Sequence, residues 1–592
     1  MKDFIKFTFA TITGIILTGG ILFLFSLIVL FGIIASSEQE VKVKKNSIFT
    51  LKLSGTLQER AIENPFALFM GDDYDSMGLN DILRSIKKAK ENDNIRGIYL
   101  EAGQLAATEP ASLEEIRKAL VDFKQSGKFI ISYGDNYSQG EYYLCSVADK
   151  VILNPQGTVN WVGLASQPIF YKGLLDKLGI NMQIFKVGTY KSAVEPFIAK
   201  EMSEANREQV NAYLQSIWTR ITTDVATSRN LTPEQLNNYA DMLLAVGPAE
   251  DLVAHGLVDT LLYMDGAKSY LKQLLDMEED QSINTLNLSE MNSVQQHIPL
   301  DKSGNIIAVF YATGEITDNA TSMSSSTEEI VGEETIKELN RLREDDNVKA
   351  VVLRVNSPGG SAFASEQIWN EVIKLKDKKP VIVSMGGTAA SGGYYISCAA
   401  DTIYAEPTTL TGSIGIFGII PDMQELLHNK IGLDFDIVKT NRYTDLGTIV
   451  RPMNDNEKQF IQKSVDRGYN LFVKRCADGR GMTLETIQQV AEGRVWTGAM
   501  AVELGLVDKL GGLDEALLSA ASKAGIEDYT VLSYPKQPSF LDNLIDNGRN
   551  GYINGLMKAQ AGEYYPFIHL TNRLQQANRL QAHMEFLPNI KM

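Results

Sequence analysis

From Phe7 to Ser37 the chain reads FTFATITGIILTGGILFLFSLIVLFGIIASS, 31 residues without a charge. About 20 apolar residues cross a bilayer, so this run is long enough to span one with tilt. A cleaved signal peptide has an apolar core of only about 7–15 residues, and no clear small-x-small cleavage site is present. The pattern predicts an uncleaved anchor over residues 1–45, with a transmembrane helix at about 9–34. Lys2 and Lys6 flank one side and Lys42, Lys44 and Lys45 the other, which leaves its orientation open.

Past the anchor the pattern changes. RGIYLEAG (96–103), KFIISYG (128–134), KAVVLRVN (349–356) and PVIVSMG (380–386) are short β-branched runs that read as buried strands. Helical periods, LNDILRSIKKAKEN and ETIKELNRLRED, precede them. Such alternation predicts an α/β fold with largely parallel strands. Residues 271–304 are polar and weakly patterned and are expected to be a linker; 317–334 are expected to form a mobile loop. The tail, 531–592, has some helical patterning but no legible chemistry, and the apolar island NPFALFM (64–70) fits no element.

The chain repeats itself. Residues 132–163 align without gaps on 384–415, with nine of 32 positions identical, Gly140/Gly392, Tyr142/Tyr394 and Asp149/Asp401 among them. ENDNIRGIYLEAGQLAA (91–107) matches EDDNVKAVVLRVNSPGG (344–360), and IFKVGTYK (184–191) matches IVKTNRYT (437–444). This is a tandem duplication, with a first repeat at 46–270 and a second at 305–530.

The copies differ where chemistry is concerned. Ser391, in GGTAASGGYYISCAA, aligns with Gln139; Gly359 and Gly360 align with Ala106 and Ala107; Lys191, in GTYKSAVEPF, aligns with Thr444. One copy has a serine and a glycine turn, the other a lysine. Neither could work alone, whereas a site formed between them would be complete. A serine hydroxyl needs a neighbouring base. A lysine serves as that base when neutral, a state that desolvation favours. The backbone N–H of Gly392, at a helix start, and that of Gly360 or else Gly359 are candidate oxyanion donors. Ser413, in TGSIG, is a candidate to orient Lys191; its counterpart is Trp161. Taken singly, each has a plain reading: Ser-Gly-Gly as a cap, Lys191 as a solvated lysine, NSPGG as a turn. Packing does not predict their reciprocal loss.

Composition adds exclusions. A formal charge of −17 with no basic stripe argues against nucleic acid. Three scattered cysteines and five separated histidines form no disulfide framework or metal motif, so no cofactor and no metal are expected.

At GTYKSAVEPF, NSPGG, GGTAASGGYYISCAAD and TGSIG the chain resembles the signal peptide peptidase A (protease IV) family in its long, duplicated form. The resemblance covers nearly all of 46–530. It implies Clp protease/crotonase-like ββα spiral domains and a serine endopeptidase with a Ser391–Lys191 dyad. It also implies a homotetramer, and single-pass anchoring in a bacterial inner membrane with the catalytic body on the periplasmic side. The implied substrates are signal-peptide remnants released by signal peptidase. Two other readings stay open: a catalytically silent membrane scaffold, and a crotonase-like acyl-CoA enzyme.

Overall fold

The structure, a computed structural model, describes residues 4, 6–8, 10–14, 17–22, 24–25, 41–61, 76–106, 109–295, 303–319, 329–537 and 580–584. The expected span at about 9–34 runs past this set, since 26–40 lie outside it, as does the island 64–70. The described part of that run is helical, and its Phe7, Leu17, Leu22 and Phe25 side chains are exposed. Thr8 and Thr11 donate their hydroxyls to the carbonyls of Phe4 and Phe7, each at 2.9 Å. Among the described residues no helix is long and apolar enough to cross a membrane.

Each repeat is built on its own sheet, parallel in the first and parallel in the second apart from the antiparallel pair Leu410–Gly412 with Val495–Thr497. In the first, the order is Ser76–Gly78, Ser47–Gln58, Ile95–Ala106, Phe129–Gly134, Lys150–Leu153, Thr260–Leu261. The β-branched runs form its centre, where Ile98, Leu100, Ile130 and Val151 are buried. Parallel strands covered on both faces read as continuous apolar runs. The helix Leu79–Glu91 covers this sheet with Leu79, Ile82, Ile86 and Ala89, the 3–4 spacing that places them on one face. Each buried leucine or isoleucine contributes about 1.5–3 kcal/mol. The second sheet repeats the plan through Ile306–Thr313, Val348–Ser357 and Val381–Ala390. A long helix follows in each copy, Glu204–Arg229 and Asp455–Arg480, capped by Ser203 and Asn454.

Residues 271–304 are more than a linker. Asn284–Leu286 adds to the strand Ser47–Gln58, and the helix Leu288–Ser293 packs Met291 into the first core. Leu271, Leu275, Leu286, Met291 and Val294 are buried, and these scattered apolar anchors dock a segment whose periodicity is otherwise weak. In the expected loop 317–334, Glu329–Val331 pairs in parallel with Glu315–Thr317; residues 320–328 lie outside the described set. The tail also begins as structure, because Thr530–Tyr534 joins the second sheet beside Ile306–Thr313.

A third sheet joins the repeats. Asn181–Lys186 of the first copy pairs antiparallel with Phe417–Asp422 of the second, from Lys186↔Phe417 to Asn181↔Asp422. Polar groups, with Arg354, Glu59, Glu115 and Glu406 buried among them, join the copies elsewhere. Arg354 donates to Glu59 at 2.9 and 3.0 Å and to Glu115 at 2.6 Å, and Asn356 donates to Glu109 at 2.7 Å. Lys118 pairs with Glu406. Burial pushes the Glu109 carboxyl up to about 7 and that of Glu406 up to about 8.

Candidate active site

The strand Val381–Ala390 ends at Ser391, and the helix Gly392–Ser397 starts immediately after it. Ser391 turns this corner at φ 54°, ψ −112°, a conformation that side chains rarely adopt and that costs roughly 1–3 kcal/mol. Its backbone N–H donates to the Gly412 carbonyl at 2.8 Å. Although Ser391 stands at the N-cap position, its hydroxyl caps nothing. It faces Lys191 instead.

Lys191 reaches Ser391 because the antiparallel pairing just described carries the chain onward from Lys186 to the second repeat. Its Nζ lies 2.9 Å from Ser391 Oγ and 3.2 Å from both the Oγ and the carbonyl oxygen of Ser413. The Phe417 ring is 5.8 Å away. Only 1% of the lysine is exposed, so its amine is withdrawn from water, which disfavours a charged ammonium.

Two glycines let the lysine pass. A Cβ on Gly493 would come within 2.7 Å of the Lys191 backbone, and one on Gly415 within 3.1 Å of its Cδ. The Lys191 loop is held further by Gln209, whose amide donates to the Tyr190 carbonyl at 3.0 Å and accepts from Val495 N–H at 3.1 Å. Tyr190 N–H donates to the Glu492 carbonyl at 3.0 Å. Ser391, Ser413 and Glu492 all have positive φ, so backbone strain gathers around this site.

The glycine turn approaches from the other side. Gly359 and Gly360 have φ of 101° and 155°. A Cβ on Gly359 would lie 2.6 Å from the Gly392 nitrogen. The Gly359 N–H donates to Ser357 Oγ at 3.1 Å and is thus already engaged within the turn, while Gly360 pairs with Ala582 of the tail strand. The structure therefore brings together all six residues singled out in the sequence: Ser391, Lys191, Ser413, Gly392, Gly360 and Gly359.

Sequence reasoning missed Gln209, Gly415 and Gly493, which act on Lys191 through backbone or packing. It also missed a tail segment. Gln581–His583 pairs antiparallel with Gly359–Ser361 and touches Phe417 on its other edge. A cavity of about 200 Å³, lined in part by Lys191, Ser413, His583 and Met584, opens beside it. Among the described residues no cluster of His, Cys, Asp and Glu could hold a metal.

The profile of peptidase family S49 matches the chain twice, over residues 122–278 and 373–527, and the Clp protease profile matches 312–409. Protease 4 of Salmonella typhi is 40% identical over 477 residues, 79% of this chain and 76% of that protein. Protease 4 of Haemophilus influenzae is 35% identical over 81% of this chain and 79% of its own length. The chloroplastic serine protease SPPA of Arabidopsis thaliana is 32% identical over 82% and 70%.

Proposed function

The chain belongs to peptidase family S49, and from that premise we propose that it is a membrane-anchored serine endopeptidase working through a Ser391–Lys191 dyad. One observation carries the reading: a buried lysine amine 2.9 Å from the hydroxyl of a strained serine, each from a different repeat. Lys191 takes the proton as Ser391 Oγ attacks a peptide carbonyl, then gives it to the leaving amine. Ser413 accepts from the amine and fixes its direction. The N–H groups of Gly360 and Gly392 stabilise the oxyanion. Water then hydrolyses the acyl-enzyme, with Lys191 again as base.

The anchor belongs to the same reading. Exposed apolar side chains along the described helical part of the N-terminal run suit lipid rather than water. An anchor keeps the catalytic body near apolar peptides that share the bilayer, raising their effective concentration. Signal-peptide remnants on the periplasmic side of a bacterial inner membrane are the substrates we infer, and a homotetramer the assembly. No cofactor enters any step. A fluorophosphonate probe on the detergent-solubilised protein tests the dyad: it should label Ser391 in the wild type and nothing in Ser391→Ala. Absent labelling in a folded wild type that also leaves unstructured peptides intact favours the silent scaffold. Activity should rise with pH, as a neutral amine base requires; a flat profile from pH 6 to 10 removes lysine from the role.

A further inference from the structure

The strand that carries Ser391 is bulged just before it. Across the parallel ladder Val355 faces Met385 and Ser357 faces Ala389, so Asn356 alone stands opposite Gly386, Gly387 and Thr388. Bulges recur beside active sites, where they re-aim a side chain. Asn356 fills this one with its side chain: its Oδ1 accepts from Thr388 N–H at 3.0 Å, in place of a missing rung. From Asn356 the chain runs on through Pro358 into the turn Gly359–Gly360.

The other end of the same amide belongs to the first repeat. Asn356 Nδ2 donates to Glu109 Oε2 at 2.7 Å and, more weakly, to Glu59 Oε1 at 3.4 Å. Glu109 stands at the start of the helix Pro110–Lys124, yet its carboxylate caps nothing there. The glycine pair makes room for it. A Cβ on Gly387 would lie 2.1 Å from Glu109 Oε2 and 2.6 Å from its Cβ, and one on Gly386 2.5 Å from Glu59 Oε1. Arg354, on the same face of the strand, makes a second tie of this form, from Glu59 and Glu115 to Ser384 Oγ at 2.9 Å. In the first copy Gly103 replaces Asn356 and Asp135 replaces Gly387, so only the copy that keeps the serine has the amide bridge.

We propose that Asn356 and Glu109 are positioning residues: besides supplying Lys191, the first repeat sets through this amide the aim of Ser391 against the Gly359–Gly360 turn. The proposal rests on the Ser391–Lys191 reading. Both residues act through the bulge rather than on the reacting atoms.

Peptidase kinetics on folded protein test this at about pH 8.5, where Glu109 is ionised, with the rate of fluorophosphonate labelling of Ser391 measured beside them. Asn356→Asp keeps the acceptor for Thr388 but sets a carboxylate against Glu109. Misplacing a reacting group by about 1 Å costs on the order of 10²-fold, so kcat and the labelling rate should both fall at least about tenfold, with KM within about twofold. Adding Glu109→Gln turns the hydrogen bond round, amide to carboxylate, and should return kcat to within about threefold of wild type. A pair that only held the seam together would shift the melting temperature and leave the kcat of folded protein alone. Wild-type kcat in Asn356→Asp, or a loss that Glu109→Gln does not relieve, overturns the proposal and leaves the dyad standing. If Asn356→Asp does not fold, Glu109→Ala, which removes the nearer acceptor of Asn356, should lower kcat at least about fivefold; wild-type kcat there overturns the proposal equally. Wild type that neither labels nor cleaves overturns the dyad and the positioning role together.

Discussion

Ser391 and Gln139 hold the same place in the two repeats, at the corner between a buried strand and a short buried helix. Around Ser391 the corner is strained and its hydroxyl is given to a lysine. Around Gln139 everything is closed. Ser138 caps the helix at an ordinary φ of −62°, and Glu141 completes a capping box. The Gln139 carbonyl accepts from Val162 and Gly163 N–H at 3.0 and 2.9 Å. A single oxygen of Glu141 accepts from the N–H groups of Gly103, Gln104 and Leu105 at 2.8–3.2 Å. These three residues precede Ala106, the counterpart of Gly359. Where one repeat leads into a glycine turn that pairs with the tail strand Gln581–His583, the other has capped the stretch just before the matching position with its own carboxylate. Duplication lets one copy relax its strain while the other retains it, provided the relaxed copy supplies what the strained one lacks.

The largest test of this contrast removes either half of the dyad. Ser391→Ala and Lys191→Ala should each lower kcat/KM by at least about 10³-fold, non-additively, with the fold kept by circular dichroism. Substantial activity in either variant breaks the idea of one shared site.

Next is the lysine's path. Gly493→Ala places a methyl against the Lys191 backbone and strains a φ of 78°. A shift of about 1 Å at a catalytic group costs on the order of 10²-fold, so kcat should fall by about that much with KM little changed. An unaltered kcat would mean the lysine does not depend on this passage.

The closed copy should respond oppositely. Gln139→Ala leaves two N–H groups without their acceptor and should lower stability by about 1–3 kcal/mol in denaturant unfolding, with peptidase activity unaffected once folded. Gln139→Ser should gain no probe labelling, because the counterpart of Lys191 there, Thr444, is exposed.

The smallest expected effect concerns the seam between copies. Glu109 binds its proton more tightly folded, at about 7, than unfolded, near 4.5. The folded state therefore holds more protons in that window, and stability falls as pH rises from about 4.5 to 7. Glu406 extends the decline to about 8. Glu109→Gln should flatten the lower part of this slope. An unchanged pH–stability curve would show that Glu109 does not titrate there.

The duplication and its strands were legible because buried parallel strands write long β-branched runs. That Lys191 and Ser391 meet was legible for a different reason: two copies of one sequence had lost complementary residues. The docked tail was not legible. Its ladder is made of backbone groups, which every residue carries, and RLQAHME shows no periodicity to mark it. Residues 271–304 hid in a similar way, since their buried positions, Leu271, Leu275, Leu286, Met291 and Val294, follow no single period. Nothing in the sequence marks Gly415 and Gly493, because only the fold brings Lys191 against them.

The pairing of Asn181–Lys186 with Phe417–Asp422 also sets the order in which competence arrives. Lys191 and Ser391 are 200 residues apart, and contacts of such high sequence separation form late because the loop between them must close first. During synthesis the first repeat can fold on its own sheet while its lysine has no serine to serve. The contact between Lys191 and Ser391 can form only after the second repeat has emerged and Phe417–Asp422 has paired with Asn181–Lys186. On the proposed dyad, a nascent chain therefore lacks its paired serine and lysine until most of it has been made.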